Sequence, residues 1–130
     1  MLKRTLTAGL ATLLASLAPL ASADLKESLE AAMAADIRSE AEVARDANRK
    51  PIETLTFFGL TEDMRVLELL PGGGWYTKLI APVLAENGQL YVSIGTTNVA
   101  KLVEDGTIPG VEVVEAEGES NAVKPRVVST

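Results

Sequence analysis

The 130-residue sequence contains no cysteine and no histidine. Without cysteine the chain has no disulfide, thiolate metal site or lipoprotein anchor, and without histidine it lacks the usual general base and the commonest zinc ligand. Triad hydrolysis and most zinc sites are therefore excluded, and we expect no metal site. Only carboxylates, lysine, tyrosine, serine and threonine remain for chemistry.

Basic residues are also scarce relative to acidic ones. The chain has 12 Lys and Arg residues against 18 Asp and Glu residues, which gives a net charge of −6. It shows no basic stripe of the kind that neutralises phosphates. This argues against nucleic acid or an anionic membrane surface as the partner.

The first 23 residues have the pattern of a secretory signal peptide. Lys3 and Arg4 precede an apolar run from Leu6 to Leu20, and the small residues Ala21-Ser22-Ala23 follow as a cleavage site. The alternative is an uncleaved membrane anchor, but the run is interrupted by polar residues and is shorter than the roughly 20 apolar residues that span a bilayer. We therefore expect an exported protein, periplasmic or secreted, that is not held in a membrane after cleavage.

Residues 24–50 are predicted to be an N-terminal helical segment. Apolar residues recur every four positions, and Ser39 followed by Glu42 fits a capping box, which predicts a break between two helices near Arg38. Pro51 disfavours helix in the residue before it and suits the first turn of a new helix. We therefore place the start of the second region at residue 51.

Residues 51–130 alternate between strand and helix patterns. Strands are predicted over 65–70, 89–94 and 111–114, with helices over 75–85 and 98–104 between them. This order is typical of an α/β fold with a parallel sheet. The nearly continuous apolar first strand predicts burial on both faces. The residues expected to be mostly buried are Val66, Leu67, Leu69, Leu90, Val92, Val111 and Val113. No element is assigned to residues 116–130.

A glycine loop joins the first of these strands to its helix. Gly72, Gly73 and Gly74 allow positive φ and close approach of a ligand, while the following helix directs free N–H groups at the same place. Glu68 lies at the end of the strand beside this loop. Two readings stay open: a cofactor site, or a tight turn in which Glu68 supports the helix start electrostatically. The Gly-x-Gly-x-x-Gly fingerprint and second-strand acid of NAD sites are missing.

Beyond the loop, a longer set of residues resembles a known family. The set is Arg45-Asp46, Arg49, Pro51, Glu53-Thr54-Leu55, Phe58-Gly59-Leu60 and Pro71-Gly72-Gly73-Gly74-Trp75-Tyr76-Thr77. The segment resembles exported, predicted class I S-adenosylmethionine-dependent methyltransferases over about a third of the chain. The resemblance implies a Rossmann-like methyltransferase fold and S-adenosyl-L-methionine as cofactor. In the superfamily motif acidic-x-Gly-x-Gly-x-Gly, Glu68, Gly72 and Gly74 match, and Leu70 replaces the first glycine.

The resemblance and the loop together give a candidate cofactor site. Its residues are Glu68, Gly72, Gly73, Gly74, Tyr76 and Ser93. We expect Glu68 to accept from the cofactor ammonium and the Gly72–Gly74 N–H groups to face its carboxylate. Ser93 stands where such enzymes usually hold the ribose with a carboxylate. Arg45, Asp46 and Arg49 either shape the site or form a surface salt bridge.

The resemblance also implies a sheet of about seven strands, whereas this sequence predicts three. A fold truncated to its cofactor half would leave an open sheet edge through which copies could associate, and no catalytic residue can be named. Three hypotheses remain: a methyltransferase-like protein with unknown acceptor, an exported non-catalytic remnant that binds a small molecule or a protein, and a structural module without a ligand.

Overall fold

A computed structural model describes the backbone of residues 18–114 and the side chains of residues 24–114. Nine elements occur in this part of the chain. They are α1 (Ala18–Met33), α2 (Glu40–Ala44), α3 (Asp46–Arg49), α4 (Pro51–Phe57), β1 (Arg65–Leu69), α5 (Thr77–Leu84), β2 (Gln89–Ser93), α6 (Thr97–Glu104) and β3 (Val111–Val114). The fold is α/β, with a three-stranded parallel sheet of order β1-β2-β3.

The predicted helix starts after Ser39 and at Pro51 are confirmed, whereas α1 already ends at Met33 and the second predicted helix is divided into α2 and α3. Ser39 caps α2 in a reciprocal capping box with Glu42, and Pro51 opens α4 directly after Lys50, which has a left-handed backbone. The end of α4 is a Schellman motif: the Gly59 and Leu60 N–H groups donate to the carbonyl groups of the last helical turn. Local sequence signals thus set where these helices start and stop.

The proposed signal segment lies largely outside the described residues. The described part begins at Ala18 with α1, which continues through Ala23 and Asp24 on either side of the proposed cleavage position. Residues 116–130 are likewise not described. Between residues 18 and 114, no helix combines the length and hydropathy that crossing a bilayer requires.

One hydrophobic core joins the N-terminal helices to the sheet. It contains Leu29 from α1, Leu55 from α4, Ile80 from α5, Val99 from α6 and Val92 from β2. The helical segment before Pro51 therefore packs into the same core as the strand–helix region. Helix α5 is at the centre, with every residue buried except Pro82.

The prediction that β1 is buried on both faces is wrong. Leu67 and Leu69 are each 56% exposed, whereas Val66 and Glu68 on the opposite face are partly buried. Every second residue of β1 faces the helices, and the other face has no helix over it among the described residues. The apolar run therefore reflects a one-sided strand that is also an edge strand in residues 18–114. Self-association through this edge stays a prediction.

Candidate functional site

The loop between β1 and α5 has a regular alternation of backbone conformation. Leu70, Gly72 and Gly74 have φ values of 57°, 57° and 84°. These are the three positions that the motif acidic-x-Gly-x-Gly-x-Gly assigns to glycine. Leu70 therefore takes up the left-handed conformation that glycine adopts without steric cost. At position 70 leucine therefore stands in place of the motif's glycine, but the backbone keeps the left-handed conformation typical of glycine.

A second left-handed residue lies beside Leu70 on the neighbouring strand. Ile94 follows β2 with φ of 62°, and the Leu70 N–H donates to the Ser93 carbonyl at 3.0 Å. Positive φ is rare for a β-branched residue and costs of order 1–3 kcal/mol. Backbone strain is thus concentrated at the carboxyl ends of two adjacent parallel strands, which is where open α/β sheets bind their ligands.

Glu68 connects the strand to the start of α5. Its Oε2 accepts a 2.6 Å hydrogen bond from the Thr77 hydroxyl, and Thr77 is the fully buried first residue of that helix. Burial raises the pKa of the Glu68 carboxyl, and the Thr77 hydroxyl opposes this by donating to the charged form. Glu68 therefore supports the helix start, as the turn reading expects, and it also borders an open cavity.

The cavity has a volume of about 580 Å³, within the range of small-molecule sites. Its walls are Ile37, α2, Arg45, Arg49, the end of β1, the glycine loop and the first residues of α5. A second groove of about 460 Å³ shares only Ile37 and Lys78 with it and is lined mostly by alanine and proline. Convergent charged and polar groups distinguish the first cavity.

Four of the six predicted site residues line this cavity: Glu68, Gly72, Gly73 and Tyr76. Gly74 does not, because it is buried beneath α6, where an added Cβ would lie 3.2 Å from Val99. Its N–H donates to the Pro71 carbonyl at 2.8 Å. The expectation that the Gly74 N–H faces a ligand is therefore wrong. Of the three loop glycines, Gly72 and Gly73 are the ones whose N–H groups can face a ligand in the cavity.

Ser93 also lies outside the cavity lining. It is buried, and its hydroxyl donates to the Val114 carbonyl at 2.7 Å, which ties β2 to β3. The hydroxyl keeps its acceptor lone pairs, but its proton is used within the sheet. Its assignment to the ribose stays a prediction, and the structure gives the side chain a structural partner.

The aromatic pair at the start of α5 forms one wall of the cavity. Trp75 is buried, and its indole N–H donates to the Glu42 carbonyl at 2.8 Å. Tyr76 is partly buried and meets the Trp75 ring edge-to-face at 4.6 Å. Arg49 lies over the Trp75 ring at 4.7 Å. Packing explains Trp75, while Tyr76 is more accessible from the cavity.

Two ion pairs near the cavity were not anticipated from the sequence. The Lys78 ammonium on α5 contacts both Glu42 carboxylate oxygens at 2.9 Å, and the buried Arg38 guanidinium contacts Asp46. Burial raises the pKa of the Glu42 carboxyl, but hydrogen bonds from the Ser39 N–H and from Lys78 bring it below its usual value. The sequence did contain a signal for the first pair: Lys78 is the single charged residue of the mainly apolar helix α5. A charged side chain that is buried needs a partner of opposite charge.

The Arg38–Asp46 pair settles a question that the sequence left open. Asp46 pairs with Arg38, while Arg45 and Arg49 form no ion pair with any described residue. The surface salt-bridge reading of Arg45-Asp46-Arg49 is therefore wrong. Both arginines instead line the cavity.

The cavity brings charged side chains of both signs together with the glycine loop. The described residues contain no group of three or more acidic side chains placed to hold a metal. Comparison with protein-family models, curated proteins and solved structures finds no match. The residues and their geometry alone carry the functional argument.

Proposed function

We propose that this chain is a methyltransferase-like protein that binds S-adenosyl-L-methionine in the cavity beside the glycine loop. One observation carries the proposal. Left-handed residues alternate at positions 70, 72 and 74, between an acidic residue at a strand end and the start of a buried helix. This alternation gives a physical reason for the glycine spacing of the superfamily motif. The left-handed conformation is kept at position 70, where leucine stands in place of glycine.

Three features support a cofactor of this size and chemistry. The cavity of about 580 Å³ lies at the carboxyl end of β1, where α/β folds bind nucleotides. Gly72 and Gly73 border it with no side chain in the way. Glu68 supplies a carboxylate for the cofactor ammonium. The finer fold assignment, a Rossmann-like methyltransferase domain, belongs to the same proposal, as does export from the cytoplasm.

The proposal includes binding without efficient methyl transfer. The described residues supply a candidate cofactor site, and none of them is assigned to a methyl acceptor. The second hypothesis, an exported non-catalytic remnant of the fold that binds a small molecule or a protein, stays the alternative. The acceptor and any catalytic residue stay unassigned.

Titration calorimetry of the full-length chain with S-adenosylmethionine and S-adenosylhomocysteine tests the proposal. The informative variant is Gly72→Val, because the residue has a φ of 57° and a side chain there would project into the cavity. We expect binding to be lost in this variant.

The matched control is Gly106→Val. Gly106 has a φ of 78° and open space around its Cβ position, and it does not line the cavity. It should show a similar loss of stability with unchanged binding. Absence of binding to the folded wild-type chain would sink the cofactor proposal. Equal loss in both variants would show that backbone strain, and not the cavity, is responsible.

A further inference from the structure

Two positively charged side chains that line the cavity have no hydrogen-bond or ion-pair partner among the described residues. Neither the Arg45 nor the Arg49 guanidinium forms a hydrogen bond or an ion pair with any residue between 24 and 114. The two neighbouring acids are engaged elsewhere, Asp46 by Arg38 and Glu42 by Lys78. The pair of arginines lines the cavity while both residues are exposed to solvent, in a chain whose net charge is −6. It creates a local positive potential that attracts an anion.

The Arg49 guanidinium also contacts the two aromatic rings at the start of α5. It lies 4.7 Å from the Trp75 ring centroid and 5.8 Å from that of Tyr76. A cation–π contact of this kind does not require the guanidinium N–H groups as hydrogen-bond donors, so they stay available to a ligand. Trp75 itself is buried, and its indole N–H donates to the Glu42 carbonyl, so the aromatic ring that Arg49 contacts is part of the packed structure.

The glycine loop adds backbone donors to the same cavity. The Gly72 and Gly73 N–H groups donate to no acceptor among the described residues, whereas the Gly74 N–H is taken by Pro71. The cavity therefore combines two guanidinium groups with two free amides. It also contains Glu68, a carboxylate whose partner on the protein is a neutral hydroxyl. A ligand that satisfies both sets of groups carries a negative and a positive charge together.

We propose that Arg45 and Arg49 form a carboxylate-binding subsite that holds the α-carboxylate of the amino-acid end of the ligand. The planar guanidinium edge matches a carboxylate, and Glu68 in the same cavity suits the adjacent ammonium. Carboxylate recognition is thereby assigned chiefly to the arginines that flank α3, and only secondarily to the loop amides. The identity of the whole ligand rests on the proposed function. Recognition of a carboxylate group rests only on the placement of Arg45 and Arg49 in the cavity.

Calorimetry of the full-length chain with three organic probes, and with inorganic phosphate as a competing anion, distinguishes the ligand identity from the charge recognition. S-adenosylhomocysteine carries the amino-acid end, 5′-methylthioadenosine lacks it, and L-methionine carries that end alone. The variant is the double substitution Arg45→Gln and Arg49→Gln. The control is Lys101→Gln, which makes a single charge change at an exposed position on α6, outside the cavity. Thermal melts establish that each variant is folded.

We expect the wild-type chain to bind S-adenosylhomocysteine at least about tenfold more tightly than 5′-methylthioadenosine, the size of one charge-assisted hydrogen bond. The double variant should lose this preference and bind 5′-methylthioadenosine unchanged, while Lys101→Gln keeps it. Added salt should weaken S-adenosylhomocysteine binding more than 5′-methylthioadenosine binding.

Other outcomes overturn one proposal or the other. Equal wild-type affinity for the two nucleosides refutes the subsite and leaves cofactor binding intact. Arginine-dependent binding of L-methionine without binding of either nucleoside keeps the subsite and refutes the proposed function. Arginine-dependent binding of inorganic phosphate that is tighter than that of L-methionine refutes the assignment to a carboxylate, and no binding of any probe refutes both proposals.

Discussion

Replacing Leu70 with glycine tests the left-handed backbone on which the shape of the loop depends. Leu70 has a φ of 57° and a side chain that is 69% exposed. Its neighbour Leu69 is a regular strand residue of β1, paired in register with Ser93, and is 56% exposed. The two leucines differ little in burial but greatly in backbone conformation. Leu69→Gly is therefore a matched control for Leu70→Gly.

The expected free-energy changes follow from three contributions. Glycine costs roughly 0.5–1 kcal/mol in backbone entropy, and losing the buried part of either side chain costs about 0.5–1.3 kcal/mol, as a fraction of the value for a fully buried leucine. At Leu69 these losses add to about 1–2 kcal/mol. At Leu70, relief of the left-handed conformation returns roughly 1–2 kcal/mol, so the net change should lie within about 0.5 kcal/mol of zero.

Urea unfolding followed by tryptophan fluorescence measures both changes. Trp75 is the single tryptophan and is buried beside the loop, so it reports on unfolding directly. We expect the urea midpoints of the two variants to differ. The slope of the unfolding free energy against urea concentration should be the same in both, because the surface area exposed on unfolding hardly changes. Equal losses of stability in the two variants would show that Leu70 is not in the left-handed region. The glycine-like backbone of the loop would then no longer support a cofactor site.

Two further predictions concern stability. Leu67→Ala should lower the free energy of unfolding by less than about 1 kcal/mol, because the side chain is half exposed on the uncovered sheet face. Leu90 is buried, so Leu90→Ala should lower it by about 2–5 kcal/mol. Similar urea midpoints for the two variants would contradict this. Burial raises the folded-state pKa of Glu68, so its favourable contribution exists at low pH and is lost as pH rises through that pKa. Glu68→Gln should therefore stabilise the protein at neutral pH, with a benefit that shrinks on acidification. The pKa of Glu42 is lowered, so Glu42→Gln should destabilise at neutral pH and matter less in acid; parallel pH profiles for the two variants would refute this contrast.

The sequence predicted the order of the elements because each rests on local signals. The Ser39–Glu42 capping box, Pro51 and the alternation of strand and helix are decided within a few residues. The burial of Leu67 was predicted wrongly for a physical reason. An apolar run shows that a strand lies in a sheet, but not how many layers cover it, and the cover depends on elements distant in sequence.

The site was predictable only in part, for the same reason. The loop glycines and Glu68 are contiguous in sequence, and their contact with the start of α5 follows from a strand–turn–helix connection. The placement of Arg45 and Arg49 depends instead on contacts between the N-terminal helices and α5. Asp46 had two basic neighbours in sequence, and only the fold shows that it pairs with Arg38.

These long-range contacts divide the cavity into two parts with different physical origins. The Lys78–Glu42 ion pair and the Trp75–Glu42 hydrogen bond join residues 36 and 33 positions apart, so they form only when α2 docks on α5. Removing one partner of a largely buried ion pair leaves a charge without compensation. Loss of the Lys78 partner would therefore loosen the wall that carries the arginines while leaving the strand–loop–helix connection formed. In the proposed binding, Arg45 and Arg49 on one side and the glycine loop on the other are therefore separable contributors: tertiary docking positions the arginines, and local backbone geometry positions the loop.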